Sequence, residues 1–327
     1  MFKINEDNKI ISQATILAEK IEGATNILIF THKDPDTDAI GSLMVMSRFL
    51  SKRGKNHQIF LSMPLLERFF YLKESVRIID DKTEIKRENF DLIIGLDCSN
   101  LDWSGIEEVL VRKKAEGVFF VNIDHHPNSN FADLNIVDKG KASTTLLLYN
   151  LFVLWKVEID ERTATQILAG LIADTNCFTN TATGPEAYFA AAELLRLGAR
   201  YTYVVSQFQR NDQSNWFATW SKILSRLTKN DKINLAYSVV LPEDVEGGGS
   251  GILDGATNFL SNLSGIRMAM IIKESASGEI KVSMRSLDGK INVAKLAHVF
   301  GGGGHEKAAG FSLRGRIERE NRYWQIV

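Results

Sequence analysis

Cysteine is scarce in this chain of 327 residues: Cys98 and Cys177 are the whole complement. Two thiols make no disulfide framework for a chain of this size, so a reduced, cytoplasmic setting is expected. Charge of either sign is nearly balanced, with 39 Lys and Arg against 40 Asp and Glu. A protein that holds long nucleic acid by its phosphates is usually strongly basic. The balance therefore argues against a long duplex partner while admitting a short oligonucleotide or a nucleotide. Long apolar runs are missing as well. The longest, Leu146 to Trp155, is interrupted by Tyr149 and Asn150 and is too short to span a bilayer. Residues Met1 to Ile21 mix Lys, Asp and Glu with apolar residues at helical spacing. They carry no apolar core and no small-residue cleavage pattern, so neither a signal peptide nor a membrane partner is expected. What is present is 44% hydrophobic and 24% charged. That is an ordinary globular composition, and the length corresponds to about two domains.

The first half alternates short β-rich runs with helical patterns, which predicts a parallel α/β sheet. Strands are expected at Asn26 to Phe30, Gln58 to Leu61, Asp91 to Leu96 and Val118 to Ile123. Helices are expected at Ala39 to Leu50, Ser143 to Lys156 and Arg162 to Ala173. After Gly184-Pro185 comes an Ala/Leu-rich helix, Glu186 to Leu197, stopped by Gly198. Helical stretches follow near Tyr203 to Gln209 and Ser214 to Leu227, then a turn at Lys229-Asn230-Asp231. Strands at Ile233 to Val240, Arg267 to Lys273 and Glu279 to Ser286, with a helix near Asp254 to Ser264, predict a smaller α+β domain. The Gly247-Gly248-Gly249 segment reads as a loop. The division is then 1–184 for the α/β domain, 185–230 for a helical connector and 231–327 for the smaller α+β domain.

Three of the apolar strands run straight into metal-ligand residue types. Phe30 is followed by Thr31-His32-Lys33-Asp34-Pro35-Asp36-Thr37-Asp38, Leu96 by Asp97, and Ile123 by Asp124-His125-His126. Asp174 ends the apolar helix of Leu171-Ile172-Ala173. In open parallel sheets, sites form outside the carboxyl ends of the strands, so these segments should converge. An isolated Asp-x-Asp-x-Asp is most simply a solvated helix cap. A calcium loop needs Gly at its sixth position and Glu at its twelfth, where this chain has Ala39 and Val45. The convergence of four segments favours a metal site, because so many buried carboxylates without cations would be costly. Mixed His and Asp ligands without thiolates suit Mn²⁺, Mg²⁺ or a related divalent ion. Such a set can hold two ions about 3.5–4 Å apart with a bridging hydroxide, which is equipment for hydrolysing a phosphate ester or anhydride. A second signal is Phe300-Gly301-Gly302-Gly303-Gly304-His305. No Gly-Lys-Ser/Thr follows, so it is no Walker loop. Its glycines allow a close backbone approach to a phosphate, with Arg285 and His305 near enough in the chain to grip the oxygens.

These motifs together resemble the DHH phosphoesterase superfamily. Within it, the chain is most similar to the nanoRNase group of oligoribonucleases and pAp phosphatases. The resemblance runs over nearly the whole chain. It is carried by Thr31 to Ser42, Gly95-Leu96-Asp97, Asp124-His125-His126, Ala173-Asp174-Thr175, Val282 to Ser286 and Gly301 to His305. It implies that His32, Asp36 and Asp97 hold one ion, and that Asp38, Asp97, His125 and Asp174 hold the second. Asp97 and His126 would be catalytic, with His126 on the scissile phosphate, and Asp124 would orient His125 from behind. Arg285, Ser286, Gly302, Gly303, Gly304 and His305 would hold substrate across a cleft between the domains. Asp34, Thr37 and Asn176 depart from the usual Asn, Gly and Gly, and none of them is an implied ligand. The Pro-Asp-Thr-Asp run is shared with manganese-dependent pyrophosphatases, which lack the Gly-rich His motif.

The expected activity is metal-dependent hydrolysis of short nucleotides such as nanoRNA, pApA-type dinucleotides and pAp. Alternatives are a cyclic-dinucleotide phosphodiesterase, a single-strand exonuclease or a pyrophosphatase. From Asp231 onward, 12 Lys and Arg face 11 Asp and Glu, which gives no basic track for a long strand. A nucleotide sensor without turnover comes last, because no implied ligand is missing. A homodimer is compatible with a chain of this size.

Overall fold

A computed structural model describes residues 8–127, 129–179, 183–209, 214–245, 256–320 and 323–327. The chain divides into two compact units, Met1–Arg210 and Asn211–Val327. The Gly247-Gly248-Gly249 loop and the expected helix start at Asp254 lie outside the described residues.

The first unit runs α1 (Asn8–Gly23), β1 (Asn26–Phe30), α2 (Thr37–Lys52), β2 (Asn56–Phe60), β3 (Ile78–Ile79), α3 (Lys82–Arg87), β4 (Leu92–Leu96), α4 (Glu107–Ala115), β5 (Phe119–Asp124) and β6 (Leu134–Val137). It then continues through α5 (Thr144–Leu154), α6 (Glu161–Asp174), α7 (Pro185–Arg196) and α8 (Tyr201–Gln209). The six strands are all parallel, in the order β3-β2-β1-β4-β5-β6. Strand side chains alternate between the two faces. Ile27 and Ile29 join the core beneath α1, α2, α5 and α6, while Leu28 and Phe30 join the one beneath α3 and α4. Both faces are covered, which is why these strands read as unbroken apolar runs. The strand order reverses between β1 and β4. In sheets of this kind that is where the crevice for a ligand opens.

The second unit runs α9 (Ser214–Ser225), β7 (Thr228–Asn230), β8 (Leu235–Val240), α10 (Ala256–Ser261), β9 (Met268–Glu274), β10 (Glu279–Ser286) and α11 (Val293–Val299). It ends with β11 (Gly303–His305), β12 (Ala308–Arg314), β13 (Ile317–Glu320) and β14 (Tyr323–Ile326). Its main sheet has the order β11-β12-β10-β9-β8-β7 and mixes parallel and antiparallel neighbours. The mixed sheet with helices matches the α+β expectation. The expected turn at Lys229-Asn230-Asp231 is corrected: Thr228, Lys229 and Asn230 pair antiparallel with Tyr237, Ala236 and Leu235. The chain reverses after them, where Asn234 takes a φ of 52°. Helices α7 and α8 pack on the first unit and α9 on the second, so the 185–230 stretch is divided between the two. Among the described residues no helix is long and apolar enough to cross a membrane.

One polar clamp fixes the helix that ends in Asp174. Asp160 caps α6 by accepting from Thr163 N at 2.9 Å. The same carboxylate accepts from Arg48 Nη2 at 2.5 Å and meets Lys52 Nζ at 2.9 Å, both on α2. Burial alone would raise its pKa. The hydrogen bonds from Arg48, Thr163 and Lys52 outweigh burial and hold the carboxyl well below the usual carboxylate range. A depressed carboxyl contributes stability above its unfolded pKa and loses it as pH falls through the native value. Asp160→Ala should therefore lower the unfolding free energy by about 1–2 kcal/mol at pH 7. The difference should shrink as the buffer is taken below the usual carboxylate range. Urea titrations at neutral and acid pH check both statements.

Candidate metal centre

The strand ends deliver their side chains at the reversal of strand order. His32 follows β1, Asp97 follows β4 on the adjacent strand, and Asp124 closes β5. Three overlapping groups of donors result. His32, Asp36 and Asp97 form one; Asp97, Asp124, His125 and His126 another; Asp38, His125 and Asp174 a third. Within each group the donor atoms lie within 4.8 Å of one another. Asp97 and His125 each belong to two groups and so link all three.

Asp97 is the hinge of this arrangement. Its φ of 53° lies in the left-handed region, which Asp tolerates better than most side chains. Its backbone N–H is held by Ile123 O at 3.0 Å. The carboxylate is buried. Oδ1 lies 3.4 Å from His126 Nδ1 and 3.7 Å from His125 Nε2, and Oδ2 lies 3.9 Å from His32 Nε2. Burial would push this acid up. The hydrogen bond from His126 and the charges of the three histidines outweigh burial and hold it below the usual carboxylate range.

Asp36 and Asp38 divide their work. Asp36 Oδ1 caps α2, accepting from Asp38 N and Ala39 N at 3.0 Å each. The cap reading of this segment and its place in a donor group therefore hold together. Asp38 is fully buried and faces the N-terminus of α5. Its Oδ2 accepts from Thr144 N at 2.6 Å. Its Oδ1 accepts from Thr145 N at 3.0 Å and Thr145 Oγ1 at 2.6 Å. Despite these donors, burial and then the neighbouring Asp97 and Asp36 push its pKa well up. Asp174 is pushed well up in the same way, by burial and then by Asp38, Asp36 and Asp97.

The histidine pair corrects one expectation. Asp124 braces His126 rather than His125. Asp124 Oδ1 accepts from His126 N at 3.0 Å and faces His126 Nδ1 at 2.9 Å, while Oδ2 accepts from Ser129 Oγ at 2.6 Å. The backbone turns after Asp124, and an Asp side chain bonds most readily to the residue two positions on. His125 Nδ1 faces Lys141 O at 3.3 Å, and its Nε2 lies 3.2 Å from Asp174 Oδ2. Burial opposes charge on His126, but Asp124 and Asp97 overcome it and push the imidazole up to about 11. His126 stands between two carboxylates with its side chain 37% exposed.

The donor set fits divalent cations on its own evidence. Burial and mutual charge disfavour the ionised forms of Asp38 and Asp174. His32 Nδ1 is buried without a hydrogen-bond partner in the structure. A proton or a cation must relieve such a cluster.

Sequence reasoning passed over the residues that hold this cluster. Ser143 caps α5 by accepting from Leu146 N at 3.0 Å. Thr144 Oγ1 donates to Asp97 Oδ1 at 2.9 Å while its N–H serves Asp38, so one residue positions two carboxylates. Gly170, on α6, lies against them. A Cβ there would stand 2.4 Å from Asp38 Oδ1 and 2.5 Å from Thr145 Oγ1. The available clue was the run Ser143-Thr144-Thr145. One hydroxyl suffices for a cap, and all three residues are buried.

In the second unit, the Gly-rich motif is packed backbone, not linker. Gly303, Gly304 and His305 pair with Gly310, Ala309 and Ala308 of β12. A Cβ on Gly302 would meet Gly310 O at 2.1 Å, and one on Gly304 would meet Ala308 O at 2.5 Å. Arg285 pairs with Ala308 from the other side. Directly opposed residues share a sheet face, so Arg285 and His305 flank the small Ala308 in one row, about 10 Å apart. Burial lowers the Arg285 pKa from its ordinary value. Ser286 Oγ donates to Asp288 O at 2.8 Å.

Residues 26–173 match the DHH family, N-terminal domain, and residues 232–323 match the DHHA1 domain. The chain is 32% identical over 302 residues to the bifunctional oligoribonuclease and PAP phosphatase NrnA of Thermus thermophilus, covering 92% of this chain and 88% of that one. It is 27% identical over 322 residues to the cyclic-di-AMP phosphodiesterase PdeA of Listeria monocytogenes, covering 94% of this chain and 47% of that protein. An exopolyphosphatase-related protein from Bacteroides fragilis has the same fold, with a TM-score of 0.83, 24% identity and coverage of 93% of this chain and 92% of that one.

Gly170→Ala tests whether the helix contact sets the ligands. The added methyl must displace Asp38 or Thr145, at a cost of about 1–3 kcal/mol in stability. Mn²⁺ affinity, measured by calorimetry on the folded variant, should fall with it. Wild-type affinity would show that Asp38 does not depend on this contact.

Proposed function

The chain belongs to the DHH family of phosphoesterases, and from that membership we propose that it hydrolyses short nucleotide substrates: nanoRNA, pApA-type dinucleotides and pAp. The observation that carries the proposal is the linkage of the three donor groups through Asp97 and His125. The names of the relatives narrow the substrate class. One is an oligoribonuclease and PAP phosphatase, another a cyclic-di-AMP phosphodiesterase. The near-neutral charge of the chain supports a small substrate gripped at one or two phosphates.

In this reading His32, Asp36 and Asp97 hold one divalent cation. Asp38, Asp97, His125 and Asp174 hold another, with Asp97 shared and Mn²⁺ the first choice. Such ions, when bound, polarise a phosphoryl group and acidify water. The protein's own residues do the rest. Asp97 sets the spacing of the two donor sets. Thr144 and Thr145 keep Asp38 and Asp97 from drifting apart under their mutual repulsion. His126, held at Nδ1 by Asp124, presents its imidazolium to the scissile phosphate and donates a proton to the leaving oxygen. Arg285 and His305, with the backbone of Gly302, Gly303 and Gly304, grip the phosphate at the far end of the substrate.

A product-resolved assay with Mn²⁺ tests the proposal. Its panel holds RNAs of about two, five and twenty-four nucleotides, pApA, cyclic di-AMP, pAp and pyrophosphate. Turnover concentrated on the shortest RNA, pApA or pAp is expected. Preference for pyrophosphate, or for the long strand, would overturn it. Asp97→Ala should keep the fold and lose activity by about a thousand-fold or more. Arg285→Ala should weaken binding of substrates with a far phosphate by roughly ten-fold or more, with less effect on kcat.

A further inference from the structure

Beyond Asp174, the last residue of α6, the chain takes an unusual course. Asn176, Cys177 and Phe178 have φ values of 49°, 56° and 63°. One left-handed residue suffices to end a helix, and glycine usually supplies it. Three in succession without glycine are strained, and strain of this kind persists only where the surroundings enforce it. Here they do. Asn176 N donates to Ala173 O at 3.1 Å and Cys177 N to Ile172 O at 2.8 Å. Phe178 N donates to the buried Thr175 Oγ1 at 3.1 Å, and Thr179 N returns to Thr175 O at 3.0 Å.

The turn brings Phe178 against Tyr188 of α7. The rings stack with centroids 5.4 Å apart and planes inclined by 27°. Tyr188 Oη donates to Phe178 O at 3.1 Å, so the tyrosine is fixed at its hydroxyl as well as on one ring face. Phe178 packs on the main core of the first unit, whereas Tyr188 remains 54% exposed. A ring so braced and so open adds little to the core.

Both halves of this pair hang from residues of the donor groups. Phe178 is four residues from Asp174, at most about 15 Å of chain, and the closed turn shortens that reach. On the other side, Glu186 in the first turn of α7 accepts from Lys141 Nζ at 2.8 Å, and Lys141 O faces His125 Nδ1 at 3.3 Å.

We propose that Tyr188, backed by Phe178, is the platform on which a nucleobase of the substrate stacks. The inference rests on the nucleotide reading above and extends it to a residue that decides specificity. Every base has a π-face, so such a platform favours nucleotides over inorganic phosphates without selecting one base. It also accounts for the turn: the strain places Phe178 as the backing of Tyr188.

The test compares pApA with its doubly abasic counterpart, with Mn²⁺, in the full chain. The readout is the ratio of their kcat/KM values. Tyr188→Ala should lower that ratio roughly ten-fold, through KM for pApA. Tyr188→Phe keeps the ring and should keep most of the ratio. An unchanged ratio in Tyr188→Ala, or equal losses on both substrates, overturns the platform while leaving the nucleotide reading intact. Equal losses of the ratio in the Phe and Ala variants would assign the effect to the hydroxyl brace and overturn stacking. A wild-type chain that hydrolyses pyrophosphate but neither dinucleotide overturns the nucleotide reading, and the platform with it.

Discussion

Mutual repulsion among buried carboxylates is the constraint around which the first unit is organised. Asp38, Asp97 and Asp174 lie together with Asp36 close by, and burial and mutual charge push Asp38 and Asp174 well up. Carboxylates in such a place neutralise, spread or bind cations. The structure prevents spreading. Two N–H groups at the start of α5 and the hydroxyls of Thr144 and Thr145 hold Asp38 and Asp97 from behind. Gly170 lets α6 approach closely enough for Asp38 to stay there. Asp97, between three histidines, escapes the same fate and stays ionised. The cluster is thus uneven in charge: Asp38 and Asp174 are pushed up, while Asp97, where the donor groups meet, is held low.

That unevenness follows from the sheet. Parallel strands buried on both faces must be apolar along their length, so chemistry is confined to their ends. At the reversal of order His32 and Asp97 follow adjacent strands, and β5 adds the Asp124-His125-His126 turn alongside. The far end of α6 is tied to α2 by Asp160, Arg48 and Lys52. The same helix therefore carries its anchor at one terminus and Asp174 at the other.

The split between what was legible in the sequence and what was not has a physical cause. His32, Asp97 and the Asp124-His125-His126 turn follow apolar strands directly, so a local pattern placed them at the carboxyl edge. The apolar run of the helix ending in Asp174 did the same for that residue. The roles of Thr144, Thr145 and Gly170 were hidden because each depends on residues more than a hundred positions away, or on the contact between two helices. A hydroxyl at a helix start reads as a cap whatever else it touches. The bracing of His126 by Asp124 was missed for a related reason: adjacent histidines are interchangeable in sequence until the turn fixes which one faces back. In the second unit the glycines read as allowing backbone to approach a phosphate, and their packing against β12 needed the fold to appear. The row of Arg285, Ala308 and His305 needed the strand register to appear.

The electrostatics also bear on how substrate is selected. A site rich in carboxylates repels a phosphate, and the imidazolium of His126 and any cations held by the acidic groups oppose that repulsion. Affinity for a small anion therefore depends on the loading of those groups, and inorganic phosphate or pyrophosphate would enjoy it as much as a nucleotide. Discrimination must come from contacts that ignore charge. A braced aromatic ring, as proposed for Tyr188, would supply such a contact, because stacking depends on a flat π-face and is little affected by salt or by the charge state of the site. On this argument the strained turn after Asp174 and the carboxylate cluster are complementary: the cluster governs which bonds break, and the ring governs which molecules arrive to have them broken.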